Sequence, residues 1–429
     1  MHRPVSLVAL VLAALVAVPL LARQPGPPVG LFSVAAVYDV SGEVAEIVDA
    51  SPDGMTLAYS DSATGEVGFV NIANPAFPFE IDTVPATGDG EPTAVAYTPD
   101  GQWVLATVRD DAFGDHWLMV INAASRVVVF NHELPGQPDS VAVSPDGRYA
   151  AIAIENERDE DVDDGVMPQP PPGSLLIVDL VGPPSSWGLR VVSMTGLAHA
   201  RFPDDPEPEF VDINAQNVAA VTLQENNVVA LVDLASGQVI DHWSAGTTSH
   251  LADLDEDGNV SFTDMMVDAR REPDAIGWTP TGELVTANEG DYDLDLDDGE
   301  YVGGRDFTIF TADGSVVFEP GASLEMAAAA AGFYDDDRSE NKGCEIEGVA
   351  IGVFINHTYA FVGAERCEFV AVYRLQGKNG KNTQLIQILP AGERPEGLKA
   401  IPSRGLFVAA SEDDGTIWIY QGVPGRSGS

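Results

Sequence analysis

The stretch DSVAVSPDGRYAAIAIE, residues 139–155, reads as two short apolar strands that meet at a Pro-Asp-Gly turn. β-Branched and small apolar residues favour extended backbone on both sides, and Asp-Gly between two such runs is a strong hairpin signal. Asp139 opens the first strand and Glu155 closes the second, so a carboxylate stands at each open end. The stretch therefore predicts a β-hairpin with acidic residues at the ends opposite its turn.

Six further stretches repeat this arrangement of strand, turn and strand. A third apolar strand such as SLLIVDL (174–180) follows, and usually a fourth such as RVVVFNHEL (126–134). Seven successive four-stranded units predict an all-β fold, the seven-bladed β-propeller, with a pair of β-sandwiches as the alternative. The six stretches are EIVDASPDGMTLAYSDS (46–62), TAVAYTPDGQWVLATVR (93–109), EFVDINAQNVAAVTLQE (209–225), DAIGWTPTGELVTANE (274–289), EGVAIGVFINHTYAFVGAE (347–365) and EGLKAIPSRGLFVAASE (396–412).

The seventh unit lacks a fourth strand, because its sequence ends with the third strand at Gln421. A spare strand, LFSVAAVYDV (31–40), precedes the first unit. We expect this N-terminal strand to become the outer strand of the last blade. The ring would then be closed, with no large sheet edge left open.

The N-terminus has the features of an export signal: a short basic start, an apolar run from Val5 to Leu21 and small residues near Ala22. An uncleaved anchor helix is the alternative, since the run is nearly long enough to span a membrane. Both alternatives predict a secreted, periplasmic or cell-surface protein. The expected divisions are a signal peptide (1–22), a linker (23–30), the propeller (31–421) with an inserted acidic loop (246–273), and a tail (422–429).

Cys344 and Cys367 are the only two cysteines of the sequence. Export to an oxidising compartment favours a disulfide between them, and closing that loop would contribute about 3 kcal/mol in the chain-entropy estimate. In a reducing compartment, two unpaired core thiols would be expected instead.

The chain is strongly acidic, with 67 Asp+Glu against 21 Lys+Arg and a net charge of -46. Its 45% of hydrophobic residues suffices for a large core, so the charge does not indicate global disorder. A surface this negative repels nucleic acid and anionic membranes and suits divalent cations or basic partners. We therefore expect no nucleic-acid binding and no membrane contact beyond the signal segment. Solubility or salt adaptation is the alternative explanation of the bulk charge.

The insertions of the chain all follow second strands or connect blades. In a four-stranded antiparallel blade these positions lie on one face, together with the start of the first strand. The long loops should therefore crown that face, while the opposite face carries short turns. Function is expected on the crowned face, because binding and catalytic residues concentrate on loops held by a rigid scaffold.

Acidic residues recur on the crowned face at matched positions of five blades. First strands line a propeller channel, so these ten carboxylates should converge around its mouth. Such crowding is costly unless cations are bound or protons retained, and calcium fits many carboxylates better than magnesium. Capping of loop amides is the alternative role. The ten are Asp139, Glu155, Glu209, Glu225, Asp274, Glu289, Glu347, Glu365, Glu396 and Glu412.

The window DLDEDGNVSFTD (253–264) matches an EF-hand-type calcium loop in the inserted acidic segment, with Gly258 at the sharp turn. The following FTDMMVDARR (262–271) is expected to begin the exiting helix. An aspartate at the last position shortens the reach of that ligand, which predicts modest affinity. A solvated acidic loop is the alternative. The expected ligands are Asp253, Asp255, Asp257, the Asn259 carbonyl, Ser261 through water, and Asp264.

Several long phrases resemble the choice-of-anchor I family of exported bacterial propellers, which are often labelled as having phytase-like esterase activity. The resemblance covers roughly residues 35–421. The phrases are IAIENERDEDVDDGVMPQPPPGSLLIVDL (152–180), DPEPEFVDINAQNVAAVTLQENNVVALVDL (205–234), EPDAIGWTPTGELVTANEGD (272–291), RSENKGCEIEGVAIG (338–352), TYAFVGAER (358–366) and PEGLKAI (395–401).

This resemblance implies the chemistry of propeller phytases, in which calcium ions at the channel mouth bind substrate phosphate and activate water. It implies catalytic roles for the acids of the last two blades, Glu347, Glu365, Glu396 and Glu412, beside Asp139 and Glu155. A phosphorylated small molecule would be the substrate.

Arg109, Arg366 and Arg394 are the candidate phosphate-binding residues, although few basic residues face many acids, a poor match to a polyanion such as phytate. The sequence has no Gly-x-Ser-x-Gly elbow and no His-Glu-x-x-His motif. The alternative to a calcium-dependent phosphoesterase or esterase is a non-catalytic extracellular module. Such a module would bind calcium for rigidity and a surface partner through the crowned face. A monomer is expected in both cases.

Overall fold

The computed structural model describes residues 31–88, 90–110, 114–158, 167–289 and 303–422. In this part of the chain, seven four-stranded antiparallel sheets and one two-stranded sheet are formed. Strands are neighbours in chain order within each four-stranded sheet, except in the sheet that takes up the N-terminal strand. This arrangement is the seven-bladed β-propeller that the repeat predicts.

The N-terminal strand β1 spans Phe32–Asp39. Blade 1 contains β2 (Val48–Ala50), β3 (Thr56–Asp61), β4 (Glu66–Asn71) and β5 (Phe79–Pro85). Blade 2 contains β6 (Glu91–Tyr97), β7 (Trp103–Arg109), β8 (Trp117–Asn122) and β9 (Val127–Glu133). Blade 3 contains β10 (Pro138–Val143), β11 (Tyr149–Ile154), β12 (Ser174–Asp179) and β13 (Gly188–Ser193). Blade 4 contains β14 (Pro208–Ile213), β15 (Val218–Leu223), β16 (Val228–Asp233) and β17 (Gln238–Ser244).

An additional hairpin follows blade 4 and contains β18 (Thr247–Ala252) and β19 (Asp264–Arg270). Blade 5 contains β20 (Ile276–Trp278), β21 (Leu284–Asn288), β22 (Asp306–Phe310) and β23 (Val316–Phe318), and helix α1 (Ser323–Ala331) follows it. Blades 6 and 7 contain β24 (Val349–Phe354), β25 (His357–Ala364), β26 (Phe369–Leu375) and β27 (Gln384–Pro390); β28 (Pro395–Ile401), β29 (Leu406–Ser411) and β30 (Thr416–Gly422).

The ring closes through the N-terminal strand, as the sequence predicts. β1 pairs antiparallel with β30, from Phe32 opposite Gly422 to Asp39 opposite Thr416. β1 thereby becomes the outer strand of blade 7, because the order of that sheet is β1, β30, β29 and β28. The two ends of the described chain hold each other, so every blade has four strands.

The core lies between neighbouring blades and is made mainly by their second and third strands. All six residues of β11 are buried. Ala151 of this strand packs in one apolar cluster with Val211 and Val221 of blade 4. Small side chains let the sheets approach closely, and branched ones fill the remaining space, which is how a propeller is stabilised without one central core.

The turns opposite the crown explain why Pro-Asp-Gly recurs. In blade 3 the Ser144 hydroxyl donates to the Asp146 carboxylate at 2.9 Å, and the Gly147 N–H donates to the Ser144 carbonyl at 2.8 Å. Gly147 has φ +70°. Glycine adopts this conformation readily because glycine has no Cβ. The turn is thus short and locally satisfied, and it leaves the opposite face to the long loops.

The segment after the acidic window is a strand, so the predicted exiting helix is wrong. β18 and β19 pair antiparallel, with Leu251 opposite Met265. Met266 is buried whereas Met265 and Val267 are exposed, an alternation that suits a strand with one face packed on the crown. The alternation of buried and exposed side chains in DMMV (264–267) therefore decided the local structure, rather than the helix that the EF-hand pattern predicts.

The crown loops are tied to one another and to the blades. Arg305 donates to the Asp253 carbonyl at 2.9 Å and to the Ser339 carbonyl at 2.9 Å. The predicted disulfide is present: Cys344, just before blade 6, is bonded to Cys367 in the turn between β25 and β26. This bond fixes the last crown segment to the sheet beneath it.

Among the described residues, no helix is long and apolar enough to cross a membrane. The expected signal peptide (1–22) and linker (23–30) lie outside the described residues, as does the tail from residue 423 onward.

Candidate metal centre at the channel mouth

A central channel of about 850 Å³ runs between the first strands of the seven blades. Each blade contributes one carboxylate to its wall near the start of its first strand, so the predicted first-strand acids do lie together. Blade 2 contributes Glu91, two residues before Thr93, at which the predicted repeat of this blade begins. The seven carboxylates are Glu46, Glu91, Asp139, Glu209, Asp274, Glu347 and Glu396.

Two groups of three carboxylates share one plan at the crowned end. Each combines the acid before or at the first strand of a blade, the acid after its second strand, and the first-strand acid of the next blade. In each group the ligand oxygens lie within 4.8 Å of one another. Triad A is Asp139, Glu155 and Glu209, from blades 3 and 4; triad B is Asp274, Glu289 and Glu347, from blades 5 and 6.

Burial makes three of the six triad carboxylates difficult to ionise. It raises the pKa of Asp139 to about 7, with repulsion from Glu157 adding to the effect. Burial, followed by repulsion from neighbouring acids, also raises the pKa values of Glu209 and Glu347 well above the ordinary value. A carboxylate in such a place must keep its proton or acquire a positively charged neighbour.

Each triad also contains a carboxylate oxygen that lacks a donor among the described residues. Glu209 Oε2 and Glu347 Oε2 are both shielded from solvent and accept no hydrogen bond. Leaving such a buried acceptor unsatisfied costs roughly 1–3 kcal/mol, and more for a charged group. A cation that takes these oxygens as ligands would remove that cost, and oxygen donors are the ones that calcium prefers.

A third carboxylate group, Glu289, Glu345 and Glu365, meets the same distance criterion but is surrounded by basic residues. Lys342 Nζ lies 2.9 Å from Glu289 Oε1, and Arg366 Nε lies 2.9 Å from Glu345 Oε2. Although burial opposes ionisation, Lys342 and Arg366 hold the pKa of Glu345 below its ordinary value. This group is therefore neutralised by the protein itself.

Three of the predicted ring acids are engaged by arginine. Arg158 Nη1 lies 3.6 Å from both Glu207 Oε2 and Glu225 Oε1, and all three side chains are buried. Arg394 hydrogen-bonds Glu365 and lies 3.1 Å from Glu412 Oε2. Guanidinium groups thus stand between blades where the repeat would otherwise produce further carboxylate groups.

The remaining predicted catalytic acids lie on the channel wall or close to it. Burial raises the pKa of Glu365 to about 7, with repulsion from Glu289 and Glu345 adding to it and Arg394 opposing it. Glu396 has a pKa well above the ordinary value because it is buried and close to Glu46 and Glu412. Glu396 of blade 7 therefore lies beside a carboxylate of blade 1 as well as one of its own blade.

The predicted phosphate-binding arginines are all paired with carboxylates. Arg109 Nε lies 3.1 Å from Glu91 Oε2. Arg366 is bound to Glu345, and Arg394 is bound to Glu365, Glu412 and Asp413. An anionic substrate would have to compete with these partners for the guanidinium groups.

The acidic window shares no residue with the triads. Two of its carboxylates accept hydrogen bonds from its own backbone, and a carboxylate from outside the window does the same. Asp253 is buried, and its Oδ2 accepts from the Ser261 N–H at 2.6 Å. Asp257 Oδ1 accepts from the Asn259 N–H at 2.9 Å, and Asp336 Oδ2 accepts from the Gly258 N–H at 2.6 Å. Among the described residues, Asp255 and Asp264 belong to no three-carboxylate group with oxygens within 4.8 Å.

Several site residues were missed because they lie outside the repeat. Glu207, Glu345 and Arg158 stand two or three residues from predicted ring acids, on loops with no constant spacing. Glu345 has φ +47°, which turns the chain just before blade 6. The Glu-Ile-Glu run at 345–347 was the available signal, since two acids flank one buried isoleucine.

Deeper in the channel, a lysine forms an ion pair with an aspartate. Lys399 Nζ of blade 7 lies 2.5 Å from Asp49 Oδ1 of blade 1. The other Asp49 oxygen accepts from the Tyr97 N–H of blade 2 at 2.7 Å. This pair links three blades and is separate from the carboxylates at the mouth.

Solved structures with a similar fold cover most of the chain at low sequence identity. The β-propeller domain of Myceliophteria thermophila Cps50 (Swd1) has 11% identity and a TM-score of 0.57, over 91% of this chain and 100% of that one. Kuenenia stuttgartiensis hydrazine synthase has 14% identity and a TM-score of 0.58, over 89% and 96%. Virginiamycin B lyase from Staphylococcus aureus has 11% identity and a TM-score of 0.57, over 91% and 100%. At these identities the likeness establishes the propeller fold alone.

A search of curated protein sequences gives no significant match. The family model of the Choice-of-anchor I domain matches residues 184–302 and 293–378. The match runs from the end of blade 3 through most of blade 6 and includes triad B. Over these residues the chain is similar to the choice-of-anchor I family, as the sequence phrases indicate.

Proposed function

We propose that the chain is an exported propeller that binds divalent cations, calcium foremost, at triads A and B of the channel mouth. The observation that carries this proposal is the pair of buried oxygens without donors, Glu209 Oε2 and Glu347 Oε2, one in each triad. A divalent ion bound there would ionise the triad and satisfy these oxygens in one step.

The donor set supports calcium over a transition metal. Both triads offer carboxylate oxygens only, with no histidine or cysteine in either. Carboxylate and water ligands suit calcium, magnesium and manganese, whereas imidazole and thiolate select zinc, copper or iron. Calcium tolerates irregular coordination at about 2.3–2.6 Å, while magnesium demands near-ideal octahedral geometry at shorter distances. Three carboxylates from separate strands match the more permissive ion.

The reaction to test is calcium-dependent hydrolysis of a phosphomonoester or carboxyl ester. Bound ions would supply polarisation of the substrate oxygen and a lowered pKa of water. Glu365, with a pKa near 7, is placed beside triad B to accept a proton at neutral pH. Glu347 and Glu396 would hold cations on the wall, while Glu412 would orient Arg394.

A non-catalytic binding module is the second candidate, and the pairing of the arginines favours it. Arg109, Arg366 and Arg394 are each bound to one or more carboxylates, so none is presented to an incoming phosphate without competition. Calcium would then rigidify the crown, and the crowned face would bind a surface partner. Export itself is supported by the N-terminal apolar run, the disulfide and the Choice-of-anchor I match.

Calcium titration of the chelator-treated protein tests the proposal. We expect heat of binding in calorimetry and a higher Tm on adding calcium, both weakened in Glu209→Gln and Glu347→Gln. Glu133→Gln is the matched control, because Glu133 is exposed on the outer strand of blade 2. Absence of calcium binding in the unaltered protein would overturn the proposal.

Turnover separates the two candidates. The same proteins are incubated with p-nitrophenyl phosphate, phytate and p-nitrophenyl acetate, with and without calcium. Hydrolysis that requires calcium and is lost in Glu365→Gln supports the enzyme. Calcium binding without turnover on any of the three supports the binding module.

A further inference from the structure

Lys342 occupies a position that a divalent ion at triad B would need. Its Nζ lies 2.9 Å from Glu289 Oε1, and both side chains are largely buried, at 13% and 12% exposure. The other carboxylate oxygen of Glu289 accepts from Gln224 Nε2 at 3.1 Å. Glu289 belongs both to triad B and to the neighbouring group with Glu345 and Glu365. The ammonium therefore contacts the one carboxylate that the two groups share.

The backbone that carries Lys342 is held firmly. Cys344, two residues later, is bonded to Cys367, and its N–H donates to Glu325 Oε1 at 3.0 Å. Gly343 has φ +64°, and a Cβ at this position would lie 2.0 Å from the same Glu325 oxygen. The backbone of the turn is thus fixed, so any displacement of the Lys342 ammonium has to come from its four-carbon side chain.

A lysine is unusual in this chain, which has only four: Lys342, Lys378, Lys381 and Lys399. Lys378 and Lys381 belong to the turn between β26 and β27, on the face opposite the crown. Lys399 pairs with Asp49 deeper in the channel. Lys342 is thus the lysine that the sequence supplies to the crown loops.

We propose that Lys342 is a built-in competitor for the cation at triad B, so that a divalent ion enters this triad only by displacing the ammonium from Glu289. This inference rests on the proposed function. An ammonium and a divalent ion cannot share one carboxylate in a low-dielectric site without strong repulsion. The ammonium accordingly lowers the affinity of triad B for a divalent ion.

The displaced ammonium has a second anionic neighbour. Lys342 contributes to holding down the pKa of Glu345, which also binds Arg338 and Arg366. Lys342 can therefore leave Glu289 and remain beside a carboxylate of the same crown segment. Occupancy of triad B then depends on a cation concentration high enough to displace the ammonium.

Calcium calorimetry of Lys342→Met tests the inference, with Lys378→Met as the matched control. Both variants remove one positive charge, but Lys378 is exposed on the opposite face. We expect Lys342→Met to tighten calcium binding at triad B by about tenfold or more, because it removes the ammonium that contacts Glu289. Calcium binding that does not involve Glu289 should change little, and Lys378→Met should match the unaltered protein. Lys342→Gln provides the same test should the methionine variant fold poorly.

Three outcomes are distinguishable. A gain in calcium affinity at one site, abolished when Glu289→Gln is added, supports competition by Lys342. Calcium binding that is the same or weaker in Lys342→Met than in Lys378→Met overturns this inference and leaves the proposed function standing. Absence of calcium binding in all the proteins overturns the proposed function itself.

Discussion

Gln387 binds both backbone groups of Phe32, a residue 355 positions earlier in the chain. The Phe32 N–H donates to Gln387 Oε1 at 3.0 Å, and Gln387 Nε2 donates to the Phe32 carbonyl at 2.8 Å. Phe32 begins β1 of blade 7, and Gln387 lies in β27, the outer strand of blade 6. One amide side chain thus completes the hydrogen bonding of the closing strand at the boundary between two blades.

Gln387→Met should destabilise the closed ring, because it leaves a backbone donor and acceptor of Phe32 without partners. We expect a loss of about 1–3 kcal/mol in the free energy of unfolding, measured by denaturant titration. Gln384→Met is the control, since Gln384 is exposed on the same strand. Equal stability of the two variants would show that the glutamine does not hold the closing strand.

Phe32→Ala tests the apolar half of the same closure. The Phe32 ring is buried against Phe354 and Phe361 of blade 6, with centroid distances of 5.2 and 5.3 Å. Truncation should cost about 3–5 kcal/mol, because it leaves a cavity among these rings. Val37→Ala, in the same strand but 43% exposed, should cost far less. The measurement is urea unfolding, monitored by tryptophan fluorescence.

Particular residues show which features of the fold and of the site could be predicted from the sequence. The seven hairpins and the spare strand at 31–40 predicted the closure by β1, since each depends on local pattern and on counting. The first-strand acids were predicted for the same reason. Gln387 could not be predicted, because a glutamine that caps a residue 355 positions away has no local signal. Arg158, Glu207 and Glu345 were missed likewise, as loops have no fixed period to align.

The acidic window shows a different kind of failure. Its ligand spacing matched an EF-hand, but the helix expected after it is β19. Met266 packs inward and Met265 outward, so tertiary packing of the hairpin decided the structure over the motif. Calcium binding by this window remains a prediction, to be examined with Asp253→Asn and Asp257→Asn.

Glu347→Gln should act in opposite directions without and with calcium. In chelator the variant should be more stable than the unaltered protein at about pH 8, because burial raises the pKa of Glu347 well above its ordinary value and folding then opposes its ionisation. The amide removes a carboxyl whose ionisation is opposed by burial first and then by Glu365, Glu396 and Glu289. With calcium, the variant should gain less Tm than the unaltered protein. A lower Tm than the unaltered protein in chelator would contradict this account of the ring.

Stability should depend on pH in a way that calcium reverses. Burial raises the pKa of Glu46 to about 8 and those of Asp139 and Glu365 to about 7. The folded chain then binds more protons than the unfolded chain between the ordinary carboxyl pKa of 4.5 and about 8. Stability should fall as pH rises through this window. Calcium binding releases those protons, so calcium affinity should increase over the same range.

Melting curves at several pH values within that window, recorded in chelator and in calcium, provide the measurement. High salt in the chelator series is the control for general repulsion among the surface acids. Salt screens the repulsion between exposed charges but has little effect on buried groups. A Tm that stays constant across the window in chelator at high salt would refute the role of the buried carboxylates.

Arg158→Met should expose the energetic role of the arginine that stands between blades 3 and 4. Arg158 Nη1 lies 3.6 Å from Glu207 and Glu225, and the side chains are 5%, 1% and 3% exposed. Removing one partner of a buried ion pair costs about 3–5 kcal/mol, because the remaining charges lose their compensation. The measurement is denaturant titration, with Arg126→Met, in the turn between β8 and β9, as the control. Adding Glu207→Gln and Glu225→Gln to Arg158→Met should restore part of the loss, because the amides carry no charge, and no recovery would mean that packing rather than charge is at stake.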